Sequence, residues 1–233
     1  MFRLRSSNPV MRTASSYTAV SDRPLTYANV AAKTVFLVFL IAVSGILTYM
    51  YLESVGLGLL IGAMIIGFIS VIVGTRSVRF APYASVVYAL AEGVVLGFIS
   101  AIASFLYEGI VPTAILTTLI VLLVMMLLYS TGIIKVTHRF ASVLVVGLIA
   151  VIIMALLSLI LPFSGPLYYL VCGISAVLAA LFLLLDFESI KSSVDAGADQ
   201  SVGWILALGL MVTLVWLYIE ILRLLMILAR TRR

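Results

Sequence analysis

Residues 141–161 read ASVLVVGLIAVIIMALLSLIL, a run in which no side chain is charged and almost all are apolar. A helix needs roughly 20 such residues to cross the hydrocarbon core of a bilayer. A membrane strand would alternate apolar and polar residues, and this run does not. Because only helices satisfy their own backbone hydrogen bonds in lipid, the segment predicts an all-α integral membrane protein.

Six further runs of this kind predict seven transmembrane helices in total. The predicted spans are 34–51, 57–74, 83–106, 113–132, 141–161, 167–185 and 203–228. Three prolines stand just before predicted spans, where the missing N–H costs no helical hydrogen bond. The predicted organisation is a polar basic tail over 1–32, a seven-helix transmembrane domain over 33–229 and a basic C-terminal tail over 230–233.

The composition of the whole chain agrees with this class. Of its 233 residues, 64% are hydrophobic and 10% are charged, whereas a soluble domain carries about 25% charged residues. This excludes soluble enzymes and nucleic-acid-binding proteins. With one cysteine and one histidine, the chain has no internal disulfide and no metal site built from those residue types. We expect no cofactor.

Basic residues predict the orientation. Lys and Arg precede the first span and occupy the loops after spans two and four, whereas the alternate loops carry Glu53 and Glu108. The excess of basic residues on cytoplasmic loops therefore predicts a cytoplasmic N-terminus. Seven full crossings would then place Arg230 and its basic neighbours outside. Either a short basic tail is exported, or the last segment is re-entrant.

Three carboxylates lie within the apolar runs or at their ends, where an ionisable group is costly unless it is paired or hydrated. Glu92 lies about 15 Å into the third helix. Asp186 lies about 10 Å from the cytoplasmic end of the sixth, if that helix continues to about residue 193, so these two can meet. Glu220 lies about 25 Å along the seventh helix, and Arg223 three residues later favours a local ion pair.

Purely structural interpretations remain open for these and other residues. Asp186 is alternatively a solvated carboxylate at a helix end, paired with Arg76 or Arg79. The later carboxylates at 188, 195 and 199 are typical of a polar loop, and Cys172 of interior packing. Enzymatic chemistry is not expected, because no intramembrane histidine can serve as a base and no aspartyl-protease motif surrounds Asp186.

Two pairs of glycines indicate close packing between helices. Gly58 with Gly62, and Gly93 with Gly97, are four residues apart and lie on one face of their helices. Such pairs permit neighbouring helices to approach closely. Ordinary packing inside the bundle explains them at least as well as a dimer interface.

Three motifs lie near the C-terminal end: LDFESIK at 185–191, GADQ at 197–200 and VTLVWLYIEILRLL at 212–225. With SNP at 7–9 and YALAEG at 88–93, they resemble a bacterial branch of the Bax inhibitor family of membrane proteins. The resemblance implies a bundle of seven helices with the seventh in the centre, in a bacterial inner membrane. It also implies a pH-sensitive calcium leak, with calcium as the permeant ion.

The resemblance also implies which residues form a gate. In that family two aspartates on helices six and seven share a proton and latch the pore, aided by an arginine near the start of helix three. Asp186 matches the first aspartate by its Leu-Asp-Phe context. Arg76 or Arg79 matches the latch arginine, and Arg223 matches the arginine of the last motif.

The second acid of this gate is replaced here. Its position corresponds to Thr213, and Glu220 lies seven residues later on the same helix face. The pair of acids is therefore absent, moved to Glu220 or rebuilt with Glu92, and depth in the membrane favours Asp186 with Glu92. Two nearby carboxylates in a low dielectric cannot both ionise, so such a pair retains one proton near neutrality. The same two acids would bind a hard cation such as calcium.

The resemblance and the intramembrane acids together predict a low-flux, pH-sensitive leak for cations, with calcium as the expected permeant ion, whose gate is Asp186 with Glu92 or Glu220. One alternative is an interaction protein that docks on a membrane protein, such as a protease of quality control or the stress response. A second is a proton-coupled transporter. The bilayer is the expected environment, and the sequence sets neither a partner nor an oligomeric state.

Overall fold

The computed structural model describes residues 23–52, 56–160 and 166–231, and these ranges are all-helical apart from one isolated bridge. All seven helices are long and apolar enough to cross a membrane, which confirms the predicted fold class. Residues 1–22 of the predicted tail over 1–32 lie outside the described ranges, as do the last two residues of the predicted C-terminal tail over 230–233. The first helix begins at Tyr27, so it includes the end of the predicted tail and starts seven residues before the predicted span at 34. The helices are α1 (Tyr27–Met50), α2 (Leu57–Arg76), α3 (Ala81–Leu106), α4 (Ile110–Ser130), α5 (His138–Ile160), α6 (Pro166–Asp195) and α7 (Val202–Thr231).

Helix α6 continues ten residues beyond its predicted apolar span. Glu188 and Asp195 therefore lie on the helix, so the prediction of a polar loop was wrong for these two and correct for Asp199. The apolar run ends at Leu185, but nothing after it breaks a helix until Gly197, whose φ of 66° is left-handed. Glycine adopts that conformation readily at a helix C-terminus.

Helix α7 is one unbroken helix that packs against α6, α1, α4, α3 and α2. Of the residues in its apolar 18-residue stretch, 56% are buried inside the bundle, the largest share among the seven helices. The re-entrant alternative for this segment is therefore not what the structure shows. Helix α5 is the least buried helix. It packs chiefly against α6, and only 6% of the residues in its apolar stretch are buried.

Close packing of α1 on α3 depends on one of the two predicted glycine pairs. A Cβ at Gly93 would lie 2.6 Å from the Cβ of Ser44, and a Cβ at Gly97 would meet the backbone oxygen of Gly45. In contrast, Gly58 and Gly62 have open space on their α2 face. The prediction of close approach is thus confirmed for α3 but wrong for α2 within this chain.

A short segment before α1 is fixed to the connection between α6 and α7. The amide of Leu25 donates to the carbonyl of Ala198 at 2.8 Å, and the amide of Gln200 donates to the carbonyl of Arg23 at 3.0 Å. Lys33 extends from α1 to donate to the Gln200 carbonyl at 2.6 Å. The start of α1 and the start of α7 are therefore held together at one end of the bundle.

Candidate functional site

The seam between α6 and α7 contains two separate polar sites, and Asp186 forms the first. Its Oδ2 atom is buried and has no hydrogen-bond partner among the described residues. The hydroxyl of Thr213, on α7, is its side-chain neighbour. A Cβ on Gly209, one turn earlier, would lie 4.0 Å from Oδ1. Asp186 thus faces α7 near Thr213, the position that corresponds to the second acid in the family resemblance.

The surroundings of Asp186 are apolar. Leu183 and Leu184, which precede it on α6, are fully buried in the same cluster as Leu210 and Leu217 of α7. Glu188, only two residues later, lies in a different environment, because its Oε2 accepts a 2.7 Å hydrogen bond from the hydroxyl of Tyr129 on α4. Of these two carboxylates on α6, only Asp186 has a buried oxygen without a partner.

Glu220 forms the second polar site, and its hydrogen bonds are satisfied. Its side chain is 5% exposed and makes a 3.2 Å ion pair with Nη1 of Arg223, which is 39% exposed. Ser175 of α6 donates to Oε1 at 2.7 Å, and the indole N–H of Trp216 donates to the same oxygen at 3.3 Å. The predicted local pair between Glu220 and Arg223 is confirmed, with two additional donors that hold the carboxylate in place.

An aromatic pair separates the two sites. Phe182 of α6 and Trp216 of α7 contact edge to face with ring centroids 5.7 Å apart. Along α7, the seven residues from Thr213 to Glu220 correspond to about 10 Å. The described residues contain no hydrogen bond or ion pair between Asp186 and Glu220, which are therefore two environments and not one shared acid pair.

Glu92 faces a third direction. Its Oε2 lies 3.3 Å from the position of a Cβ on Gly67, so the carboxylate occupies the room that this glycine leaves on α2. Tyr88, one turn earlier on α3, is buried beside it. Asp186 faces α7, and no hydrogen bond or ion pair in the described part of the chain joins it to Glu92. A shared proton between these two carboxylates stays a prediction.

The two latch candidates lie at the end of α2 and in the turn after it. Arg76 is the last residue of α2, Arg79 lies three residues later, and both are exposed. Neither forms an ion pair within the ranges that the structure describes. A role of either arginine in holding Asp186 stays a prediction.

Two buried polar residues, one of them at the Glu220 site, were not identified from the sequence. Ser175 is only 1% exposed and binds Glu220, yet a serine in an apolar run is too common to stand out. Asn29 has a buried Oδ1 without a partner among the described residues. In the described ranges, no three His, Cys, Asp or Glu side chains are grouped as metal ligands would be.

A comparison of the chain with models of protein families shows which family it belongs to. The model of the family described as Bax inhibitor 1 like matches residues 8–230. The chain belongs to the Bax inhibitor 1 like family. The match includes six helices of this family member in full and α7 up to residue 230, so the earlier resemblance is confirmed. No curated protein matches the chain.

Proposed function

We propose that this Bax inhibitor 1 like protein is a low-flux, pH-sensitive cation leak of a bacterial inner membrane, with calcium as the permeant ion and the N-terminus cytoplasmic. Asp186 is the gating carboxylate, and α7 is the central helix against which it closes. The observation that carries the proposal is the buried, unpartnered Oδ2 of Asp186 between α6 and α7. Ionisable residues within membrane spans are rare, and they commonly mark ion pathways and proton relays.

The gate follows from the charge state of one carboxyl group. A neutral carboxylic acid fits the apolar seam beside Thr213, whereas an ionised one is an unpaired buried charge. Ionisation therefore favours separation of α6 from α7, entry of water or binding of a hard cation by carboxylate oxygen. Flux should rise as the pH rises, because higher pH removes the proton.

The other candidate acids have parts different from that of Asp186. The hydroxyl of Thr213 takes the position of the second acid, so the gate works with one carboxyl group. Glu220 is neutralised by Arg223, and Glu92 faces α2. These two stay candidates for the cation path and not for the proton that Asp186 exchanges.

The test is calcium entry into proteoliposomes between about pH 6 and about pH 8, the range in which buried carboxyl groups titrate. We expect flux that rises with pH in the native chain, and flux without this pH response in Asp186→Asn. Glu188→Gln is the matched control, since it removes a carboxylate two residues away on the same helix. It should keep the pH response.

Other outcomes would overturn the proposal. A folded native chain without flux above empty liposomes would leave the membrane interaction protein as the better function. Flux that saturates and follows a proton gradient would favour the proton-coupled transporter. Deletion of residues 1–22 should leave a leak unchanged, and it spares Arg23 and Leu25, whose backbones bind the α6–α7 connection.

A further inference from the structure

A cleft of about 400 Å³ lies between α5, α6 and α7, next to the Glu220 site. This volume lies within the range of ligand-binding cavities, roughly 300–1,000 Å³. Its α5 wall is almost entirely apolar, whereas the α7 side carries the charged pair. The cleft is thus amphipathic, with Val151 and Ala155 on one wall and Tyr168, Trp216 and Arg223 on the others.

The cleft lies beside the second half of α5, whereas the first half of that helix packs closely on α6. Leu144 is 3% exposed, and a Cβ on Gly147 would lie 2.9 Å from the side chain of Leu178 on α6, so the first half of α5 is tightly packed. The same helical stripe continues through Val151, which is half-buried, and Ala155, which is exposed, and both line the cleft. Among the described residues, the cleft therefore lies between the apolar stripe of α5 and α7.

The polar side of the cleft presents one guanidinium with unused donors. Both hydrogen bonds of Arg223 to Glu220 come from Nη1. Its Nε and Nη2 groups have no hydrogen-bond acceptor among the described residues, and its side chain is 39% exposed. Glu220 is itself fixed by Ser175 and Trp216. The fixed carboxylate of Glu220 thus holds the guanidinium of Arg223 in one orientation, and up to three of its N–H donors remain for a ligand.

The height of Arg223 fits a lipid headgroup. Arg223 lies 21 residues after the start of α7, which corresponds to about 31 Å. That length equals the thickness of the hydrocarbon core, about 30 Å. Tyr168, at the start of α6, lies beside Arg223, as aromatic residues do at a membrane interface. The charged end of the cleft therefore lies at the bilayer surface and its apolar part lies among the acyl chains.

We propose that this cleft is a binding site for a phospholipid, with the phosphate on the free guanidinium donors of Arg223 and one acyl chain along the Val151 and Ala155 face of α5. Guanidinium and phosphate form short, charge-assisted hydrogen bonds, often in a bidentate arrangement. The surrounding bilayer supplies the lipid. This site is independent of the Asp186 gate, so its test does not depend on ion flux.

The chain contains its own reporter for the test. It has two tryptophans, of which Trp216 lines the cleft and Trp204 contacts Phe36 and Lys33 at the other end of the bundle. In a Trp204→Phe background, Trp216 is the only tryptophan. Detergent-solubilised protein is titrated with phosphatidylglycerol that carries brominated acyl chains, because bromine quenches tryptophan fluorescence on contact. Diacylglycerol with the same brominated chains is the lipid control without a phosphate.

We expect phosphatidylglycerol to quench Trp216 at a mole fraction roughly tenfold lower than diacylglycerol, the factor that one charge-assisted hydrogen bond supplies. The double variant Arg223→Gln with Glu220→Gln should abolish this difference without leaving an unpaired charge. Ala155→Phe should fill the cleft and weaken quenching by both lipids. Ile153→Phe is its matched control, because Ile153 is 56% exposed on α5 and lies outside the cleft lining; it should behave as the parent.

Three results would overturn the proposal. Equal quenching by the two lipids means that the cleft admits acyl chains without recognising phosphate. Absence of quenching by either lipid means that no lipid enters. A phosphatidylglycerol preference that survives the double variant means that Arg223 does not bind the headgroup.

Discussion

The ion pair between Glu220 and Arg223 predicts that the two residues respond unequally to substitution. The carboxylate is 5% exposed and the guanidinium 39% exposed, so only Glu220 depends on its partner to remain charged in the interior. Arg223→Met removes that partner and leaves a buried carboxylate with two neutral donors, Ser175 and Trp216. Glu220→Gln instead leaves an arginine that water can reach, and its amide oxygen still accepts the bond from Ser175.

The magnitudes follow from these exposures. Breaking a fully buried pair by removing one partner costs about 3–5 kcal/mol. Because Arg223 is partly hydrated, we expect about 2–3 kcal/mol for Arg223→Met. One weakened hydrogen bond predicts about 1 kcal/mol for Glu220→Gln. The double variant should resemble Glu220→Gln, which corresponds to a coupling of about 2–3 kcal/mol.

The assay is unfolding of the purified protein in mixed micelles by sodium dodecyl sulfate, followed by circular dichroism. The four members of the cycle are the native chain, the two single variants and the double variant. If Arg223→Met proves no more destabilising than Glu220→Gln, then the pair is hydrated and Glu220 does not need it. The reasoning from burial would then be refuted.

Three further predictions concern packing and the gate. Gly93→Ala should lower the free energy of unfolding by about 1–3 kcal/mol, because its Cβ would overlap α1. Gly62→Ala places a Cβ in open space, so it should be neutral or stabilise the protein by up to about 1 kcal/mol. The same micelle titration compares the two variants. Gly203→Ala would place a Cβ 2.9 Å from Leu25, so hydrogen exchange of the Leu25 amide should quicken, and an unchanged rate would contradict the contact. Thr213→Asp should move the rise of calcium flux to higher pH, since two facing acids retain a proton longer; an unmoved profile would separate this position from the gate.

Much of the fold was predictable because lipid leaves a chain few choices. Long apolar runs without alternation permit only helices, and all seven were predicted with the ends of most of them. The apolar span predicted for α6 ends ten residues before the helix does, for a physical reason. Hydropathy measures where a helix leaves the membrane, whereas the helix itself ends only at a residue that favours another conformation, here Gly197.

The residues of the candidate site could be identified from the sequence, but the residues that they contact could not. Depth along a helix identified Asp186, Glu92 and Glu220 as unusual, and spacing identified the bond from Glu220 to Arg223. Depth says nothing about rotation around the helix axis, so it could not place Glu92 against α2 and Asp186 against α7. Ser175 escaped notice for the same reason, because its importance depends on the face that it shares with Glu220.

The bond between Lys33 and Gln200 joins residues 167 positions apart, and this separation has a consequence for biosynthesis. At translation rates of about 5–20 residues per second, Gln200 is made roughly 8–33 s after Lys33. During that interval the carbonyl to which Lys33 donates does not yet exist. We therefore expect the nascent protein to expose a polar end of α1 until its last helix emerges, which makes this interval the time at which a chaperone or a protease of the membrane can recognise it.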